Sequence, residues 1–274
     1  MKILFRSKLA QTALLLLSFI LFFALFAPLL SPYSYDEIHL DKTNEPPSHA
    51  FWFGTDDLGR DLLIRSAMGA RISLGVATAA ALIDLLVGVL WGSVAALMGK
   101  KVDECLMRSC DVLQSIPSLL MVLLLTLFLG PGFFTILVAI ALTGWITMAR
   151  IIRGHLLQIK HLSFITAAQT LGASPLRVLF CHLIPNAAGP IFVTLTLNLP
   201  AAVLAEAFLS FLGVGIQAPF SSWGVMLNEG LGSFRYFPWR IFFPALLLTI
   251  TIFGFNLLGE CFRNYYDPTT EDPL

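Results

Sequence analysis

FITAAQTLGASPLRVLFCHLIPN, residues Phe164–Asn186, sits between two long apolar stretches, and its reading decides the fold. Phe164, Ala167, Ala168 and Leu171 follow i, i+3, i+4, i+7, the spacing of one apolar face of a short helix. Gly172 can end that helix, because glycine accepts the left-handed conformation past a helix C-terminus. Ser174 and Pro175 then suit the N-cap and first turn of a second helix. Leu176, Leu179, Phe180 and Leu183 repeat the apolar spacing, and Pro185 closes the unit. Neither helix is long enough to cross a bilayer, and isolated helices below about 12–15 residues are marginal in water. The pair must therefore be held by docking. The small Ala167, Ala168, Gly172 and Ala173 would let another surface approach the backbone closely. Two surfaces remain open: the flanking helices of this chain, with the pair as a stiff connector, or another protein.

The rest of the chain reads as membrane. Of its 274 residues 57% are hydrophobic and 12% charged, against about 45–50% and about 25% in an average soluble domain. Mean hydropathy is +0.82. Six stretches meet the requirement of about 20 mostly apolar residues for a spanning helix: Leu9 to Leu30, Ile72 to Met98, Val112 to Leu129, Phe133 to Ile152, Ala187 to Phe211 and Ile241 to Phe262. They lack the polar–apolar alternation of a barrel strand. Lys2, Arg6 and Lys8 precede the first, whose apolar run is long for a signal peptide of about 7–15 apolar residues, so it reads as an uncleaved helix.

Charge placement gives an orientation. Of the 17 Lys and Arg, six (Lys42, Arg60, Arg65, Arg71, Arg235 and Arg240) fall in outer loops if both termini are inside, and the rest fall on the inner side. Positive charge concentrates in cytoplasmic loops, so both termini read as cytoplasmic. Cys105, Cys110, Cys181 and Cys261 all fall at inner ends, where thiols stay reduced. They read as small free thiols, and their spacing is not that of a zinc pair.

The first outer loop, Ser31 to Arg71, is irregular up to FGTDDLGRD, Phe53–Asp61. Thr55 there can cap a helix with Asp56 and Asp57 in its positive first turn. Leu58, Leu62, Ile64, Arg65 and Met68 would continue it as a charged amphipathic helix at the interface. That helix is either a lead-in to the second span or a contact for an external partner through Asp56, Asp57, Arg60 and Asp61. The second outer loop, Gly213 to Arg240, reads as a glycine-rich loop with Trp223, Tyr236 and Trp239 at the interface.

Catalytic signatures are missing. There is no H-E-x-x-H and no G-x-S-x-G. GSVAALMGKKV, from Gly92, departs from a phosphate loop in glycine spacing and lacks Ser or Thr after the lysine. His155, His161 and His182 read as loop histidines, and no metal site is expected. Two carboxylates fall inside spans, Asp84 and Glu206, too few in series for a proton relay. Each is expected to be held by neighbouring hydroxyls, amides or an arginine. Lining a translocation path is the sharper role for Glu206. Asn198 either joins such a path or bonds between helices.

TAAQTLG followed by HLIP resembles the EAA loop of ATP-binding-cassette importer permeases: Glu-Ala-Ala, three residues, Gly, nine residues, Ile-x-Leu-Pro. Ala167, Ala168, Gly172 and Pro185 match, whereas Thr166 stands for the Glu, His182 for the Ile and Ile184 for the Leu. FGTDDLGRD, GARISL (Gly69–Leu74), EAFLSFLGVG (Glu206–Gly215) and Trp223-Gly224 resemble the second permease subunit of dipeptide, oligopeptide and nickel importers. The resemblance covers nearly the whole chain. It implies an all-α integral membrane protein of six transmembrane helices with the type I importer permease fold. Residues 1–71 would form an N-terminal helix, outer loop and interfacial helix, and 72–274 the core, with a coupling loop at about 153–186. ATPase coupling would fall to Thr166, Ala167, Ala168, Gln169, Gly172, Ala173, Ser174, Pro175, Arg177 and Pro185. The implied partners are a second homologous permease, two cytoplasmic ATPase subunits holding ATP and Mg, and an extracytoplasmic solute-binding protein, all at a bacterial inner membrane and its lipid; nucleic acid is not among them. The implied cargo is a di- or oligopeptide, with a nickel or metal-chelate as the alternative. An ion-coupled carrier acting alone is the competing transport class.

Overall fold

A computed structural model describes residues 7–266; Lys2 and Arg6 of the basic N-terminal segment lie outside the described residues. The chain is helical throughout: α1 (Lys8–Phe26), α2 (Leu62–Leu97), α3 (Lys100–Ser115), α4 (Ser118–Leu129), α5 (Phe133–Ile159), α6 (Ser163–Thr170), α7 (Pro175–Val178), α8 (Ile184–Asn186), α9 (Ala188–Phe211), α10 (Trp223–Leu231) and α11 (Trp239–Tyr266). Five of these, α1, α2, α5, α9 and α11, are long and apolar enough to cross a membrane, and the bent pair α3–α4 makes a sixth candidate.

The outer amphipathic helix expected from Thr55 does not form. Thr55 is fully buried in a loop, where its hydroxyl donates to the Lys42 carbonyl (2.5 Å) and accepts from the Glu45 N–H (2.8 Å). The helix begins instead at Leu62, capped by Asp61, whose carboxylate accepts from the Leu63 N–H at 2.8 Å. A cap needs an acceptor two or three residues before the free N–H it binds, and Asp61 is the acid so placed. From there α2 runs unbroken through residues 71 and 72 as a single helix of 36 residues. The interfacial helix and the second span are thus one element.

The third span is also not a straight helix. α3 and α4 meet at an angle of 82°. Pro117 lacks an N–H and forces the residue before it away from helical geometry; Ile116 is extended, at φ −79° and ψ 122°. α4 alone has 12 residues, about 18 Å of helix against a hydrocarbon core of about 30 Å.

α2 and α5 form the most extensive helix pair. Without water to drive apolar burial between helices, membrane bundles rely on small residues that bring backbones together. A Cβ on Gly88 would stand 2.6 Å from the Met148 Cβ, and one on Gly92 would stand 2.5 Å from the Ala149 carbonyl oxygen. The two ends of the bundle separate cleanly. Lys160 Nζ donates to the Ala96 carbonyl at 3.0 Å, joining α5 to α2 at one end. At the other, Arg71 Nε donates to the Ala24 carbonyl at 2.6 Å, joining α2 to α1.

Gly88→Ala should lower the stability of the purified protein in detergent by roughly 1–3 kcal/mol, the cost of overpacking a tight contact. Gly75→Ala, on the same helix with open space around its Cβ, should leave the melting temperature unchanged or raise it, since alanine favours helix.

Candidate functional site

Three features stand out: the helix pair at one end of the bundle, a cavity within it, and an ion-pair cluster at the far end.

The helix pair forms as its sequence dictates. Gly172 takes φ +85°. Its N–H donates to the Gln169 carbonyl (2.9 Å), and the Ala173 N–H donates to that of Ala168 (3.0 Å). These two bonds close α6 in the Schellman arrangement. Ser174 Oγ then caps α7 by accepting from the Arg177 N–H at 3.3 Å, with Pro175 in the first turn. A π-helical turn, Leu179–Leu183, carries α7 into α8. Pro185 does not close the unit as expected: it sits within α8, where a missing N–H in the first turn costs nothing, and helix resumes at Ala188.

The docking face keeps Leu179 and Leu183 of the expected apolar spacing and differs in the rest. Ile165, Val178, Leu179 and Leu183 are buried against Ala96, Met148, Ile152 and Leu156 of α2 and α5. Phe164, Leu171, Leu176 and Phe180, the other large apolar side chains of the periodic faces, are exposed, Leu171 at 88%. Ala168 and Ala173 are half-buried, whereas Thr166, Ala167, Gln169, Gly172, Ser174, Pro175, Arg177 and Pro185 are exposed. The Thr166 hydroxyl turns back to the Leu162 carbonyl of its own helix, at 3.4 Å. The pair is thus fixed to its own spans on one side and carries bare apolar side chains on the other.

A cavity of about 450 Å³ lies among α2, α4, α5 and α9, within the range of about 300–1,000 Å³ for small-molecule sites. Its polar lining is Asp84, Ser118, Thr143, Thr147 and Asn198. Leu119 and Phe208 line it and are exposed, so it opens on the face of α4 and α9. Asn198 Nδ2 donates to Asp84 Oδ2 at 3.4 Å. Glu206 is not in this lining. It is fully buried, and its carboxylate accepts from the hydroxyls of Ser73 (2.5 Å) and Ser210 (2.8 Å).

At the far end, Asp56 accepts from the N–H groups of Leu58 (2.9 Å) and Arg60 (3.0 Å), from Arg60 Nε (2.7 Å) and from Arg65 Nη1. Arg65, fully buried, also meets Glu229 of α10 at 2.8 Å. Asp57 meets Arg240 at 3.3 Å, and Arg240 donates to Asn44 (3.1 Å) and Ser233 (3.0 Å). Asp61 accepts from the Ser31 hydroxyl at 2.8 Å. The four residues read as an external contact are therefore knotted into the bundle, and only Asp57 among them is widely exposed. Burial pushes the Asp56 carboxyl up, but Arg65, then the Arg60 N–H and charge and the Leu58 N–H, outweigh it and hold it below its ordinary 3.8. For Asp61 burial wins over the Ser31 hydroxyl and the Leu63 and Ile64 N–H groups, and its carboxyl is raised.

Sequence reading missed α10. Ser222 caps it by accepting from the Val225 N–H at 3.4 Å. Trp223, expected at the interface, is fully buried and donates its indole N–H to the Ser66 carbonyl at 3.1 Å. The Ser-Ser-Trp-Gly start was the available signal.

Residues 88–272 match the family model of the binding-protein-dependent transport system inner membrane component. The chain belongs to this family. Residues 1–47 match the N-terminal transmembrane domain of oligopeptide transport permease C. The chain is 51% identical to the oligopeptide transport system permease protein OppC of Bacillus subtilis, over 96% of this chain and 87% of that one. It is 48% identical to the dipeptide permease DppC of the same organism, over 96% and 82%, and 42% identical to OppC of Escherichia coli, over 96% and 87%. Among solved structures, a chain of the methionine transporter MetNI in an inward-facing conformation aligns with TM-score 0.61 at 17% identity, over 76% of this chain and 97% of that one. That likeness establishes the type I importer permease fold. The family match spans the helix pair and the cavity lining apart from Asp84, which lies just before it; the ion-pair cluster falls mostly before it.

Arg65→Met should cost about 3–5 kcal/mol of stability, because it removes one of the two arginines that compensate the buried Asp56 carboxylate. Asp57→Asn, whose side chain is 54% exposed, should cost under about 1 kcal/mol. The stability that Asp56 contributes is present above its unfolded value and lost only as pH falls through its lowered folded value. Any change in limited proteolysis of this loop between pH 7 and 5 should therefore come from Asp61, whose raised carboxyl favours the folded state as pH falls, and should vanish in Asp61→Asn.

Proposed function

We propose that this chain is the permease subunit that forms half of the translocation path of an ATP-driven importer of di- or oligopeptides. The observation that carries the coupling role is the helix pair, anchored to α2 and α5 by one face and bare on the other. Exposed clusters of large apolar side chains mark interaction sites, and a partner ATPase subunit is the occupant the family supplies. The relatives named for oligopeptide and dipeptide transport support the cargo.

In this reading a second homologous permease covers the open face of α4 and α9 and completes the cavity. Two cytoplasmic ATPase subunits bind ATP and Mg, and this chain hydrolyses nothing itself. Closure of the ATPases pushes on α6 and α7, and the push passes through Ile165, Val178 and Leu183 into α2 and α5. A ligand shifts such an equilibrium only by binding the two states differently, which ATP does through the ATPases. A solute-binding protein delivers peptide to the outer end, where the ion-pair cluster holds the docking loops in place. Both termini lie in the cytoplasm of a bacterial cell, and lipid surrounds the outer faces of the bundle.

The test is the complete transporter in proteoliposomes. Leu171→Glu leaves the buried face untouched and should lower ATP-dependent peptide uptake at least about tenfold, as loss of an interface anchor does. Gly172→Pro cannot hold φ +85° and should uncouple hydrolysis from uptake. Wild-type uptake in both variants would remove the coupling role, and uptake driven by an ion gradient without ATPases would remove the importer itself.

A further inference from the structure

The two carboxylates inside the spans are in opposite states of satisfaction. Both oxygens of Glu206 have hydroxyl donors within 2.8 Å, and the residue is sealed from the cavity. Asp84 is also buried, at 3% exposure, yet its only described donor is Asn198, at 3.4 Å to Oδ2. Its Oδ1 is buried with no hydrogen-bond partner among the described residues. A buried acceptor left unmade is costly, and more so when charged. Such groups inside membranes face cavities and mark substrate paths.

Asp84 has a built seat. It lines the cavity, and its carboxylate lies directly over Gly144 of α5, where a Cβ would overlap both oxygens. Any other residue at 144 would displace it. Thr143 and Thr147, on either side of that glycine in sequence, line the same cavity, as does Asn198. No Lys, Arg or His is in the lining. The cavity thus offers one carboxylate, an amide and hydroxyl oxygens, and no cation of its own. That donor set fits a group carrying positive charge and several N–H donors.

We propose that Asp84, with Asn198, Thr143 and Thr147, forms a subsite for an ammonium group of the peptide in transit. The proposal rests on the peptide-importer reading. A peptide can present such a group from its N-terminus or from a lysine side chain, and the chemistry at Asp84 is the same for both.

The complete transporter in proteoliposomes tests it with three peptides of equal length: one with a free amino terminus and neutral side chains, its N-acetylated form, and an N-acetylated form with one lysine. The solute-binding protein is unchanged throughout, so the flux of each variant is compared with wild type for each peptide separately. Asp84→Asn should lower flux of the free-amine peptide about tenfold, the scale of one lost charge-assisted bond, and spare the neutral acetylated peptide. A matching fall for the lysine peptide assigns the subsite to any ammonium; no fall there assigns it to the α-ammonium. Exchange of the pair, Asp84→Asn with Asn198→Asp, returns a carboxylate to the cavity and should restore the preference for cationic peptide. That exchange also serves as the readout if the single variant does not assemble. An equal loss for all three peptides, or no loss for any, overturns the subsite and leaves the importer standing. A wild-type transporter that takes up no peptide with ATP overturns both.

Discussion

The close approach of α2 and α5 is the contact on which the other features rest. Gly88 and Gly92 let the α2 backbone lie against Met148 and Ala149, and Gly144 lets the α5 backbone lie under Asp84. Dispersion between close-packed backbones falls off steeply with a gap of an ångström, so the pair is either tightly closed or weak. Its length matters as much as its tightness. α2 has 36 residues, about 54 Å of helix, and it runs from the ion-pair cluster at Arg65 to the Ala96 carbonyl beneath the helix pair. One strut therefore touches all three functional features.

The two ends of that strut are held by different forces, and each suits its task. At the Arg65 end, arginines and carboxylates are buried and interlocked, an arrangement with directional bonds and little slack. At the Ala96 end, α6 and α7 are held by apolar packing on Ala96, Met148, Ile152 and Leu156, while Lys160 ties α5 to α2 beneath them. Apolar docking at one face leaves the other face free without exposing unsatisfied backbone, because the Schellman bonds and the Ser174 cap already use the helix-end groups. A load on that free face enters the α2–α5 pair directly, and a close-packed interior transmits it with little loss.

Much of this was legible in the sequence where local chemistry decides the outcome. Gly172, Ser174 and Pro175 take the positions that their backbone preferences specify, and the expectation that neighbouring polar groups would hold the carboxylates is met by Glu206 but only half met by Asp84, whose Oδ1 has no partner among the described residues. The all-helical membrane architecture and the family were legible too. What was not legible depends on neighbours. Periodicity put Phe164 and Leu171 on one apolar face but left its partner open, and α2 and α5 take Ile165 instead. Thr55 has the look of a helix cap, yet Lys42 and Glu45 capture its hydroxyl, and Asp61 is left to start α2. Trp223 reads as an interfacial aromatic, and only the Ser66 carbonyl and the shallow Gly69 surface explain its burial. The break at Pro117 was a local signal that apolar composition overrode.

That break also separates the parts of the cavity wall by how firmly they are held. α2, α5 and α9 pack on one another, whereas α4 packs chiefly on α5. Within α4 only Val122 is buried, and Leu123, Leu124, Leu127 and Phe128 are exposed. Low contact density marks the segments that open first. α3, beyond the bend, is pinned separately: Arg153 of α5 holds Asp103, and Arg150 of α5 meets Asp111 at 2.8 Å. The extended link at Ile116 and Pro117 breaks the helix, so α3 and α4 are held by different contacts. α4 is thus the wall with the fewest ties inside this chain and the one that depends most on the permease proposed to cover it, whereas Asp84 is seated on Gly144 by the α2–α5 contact itself.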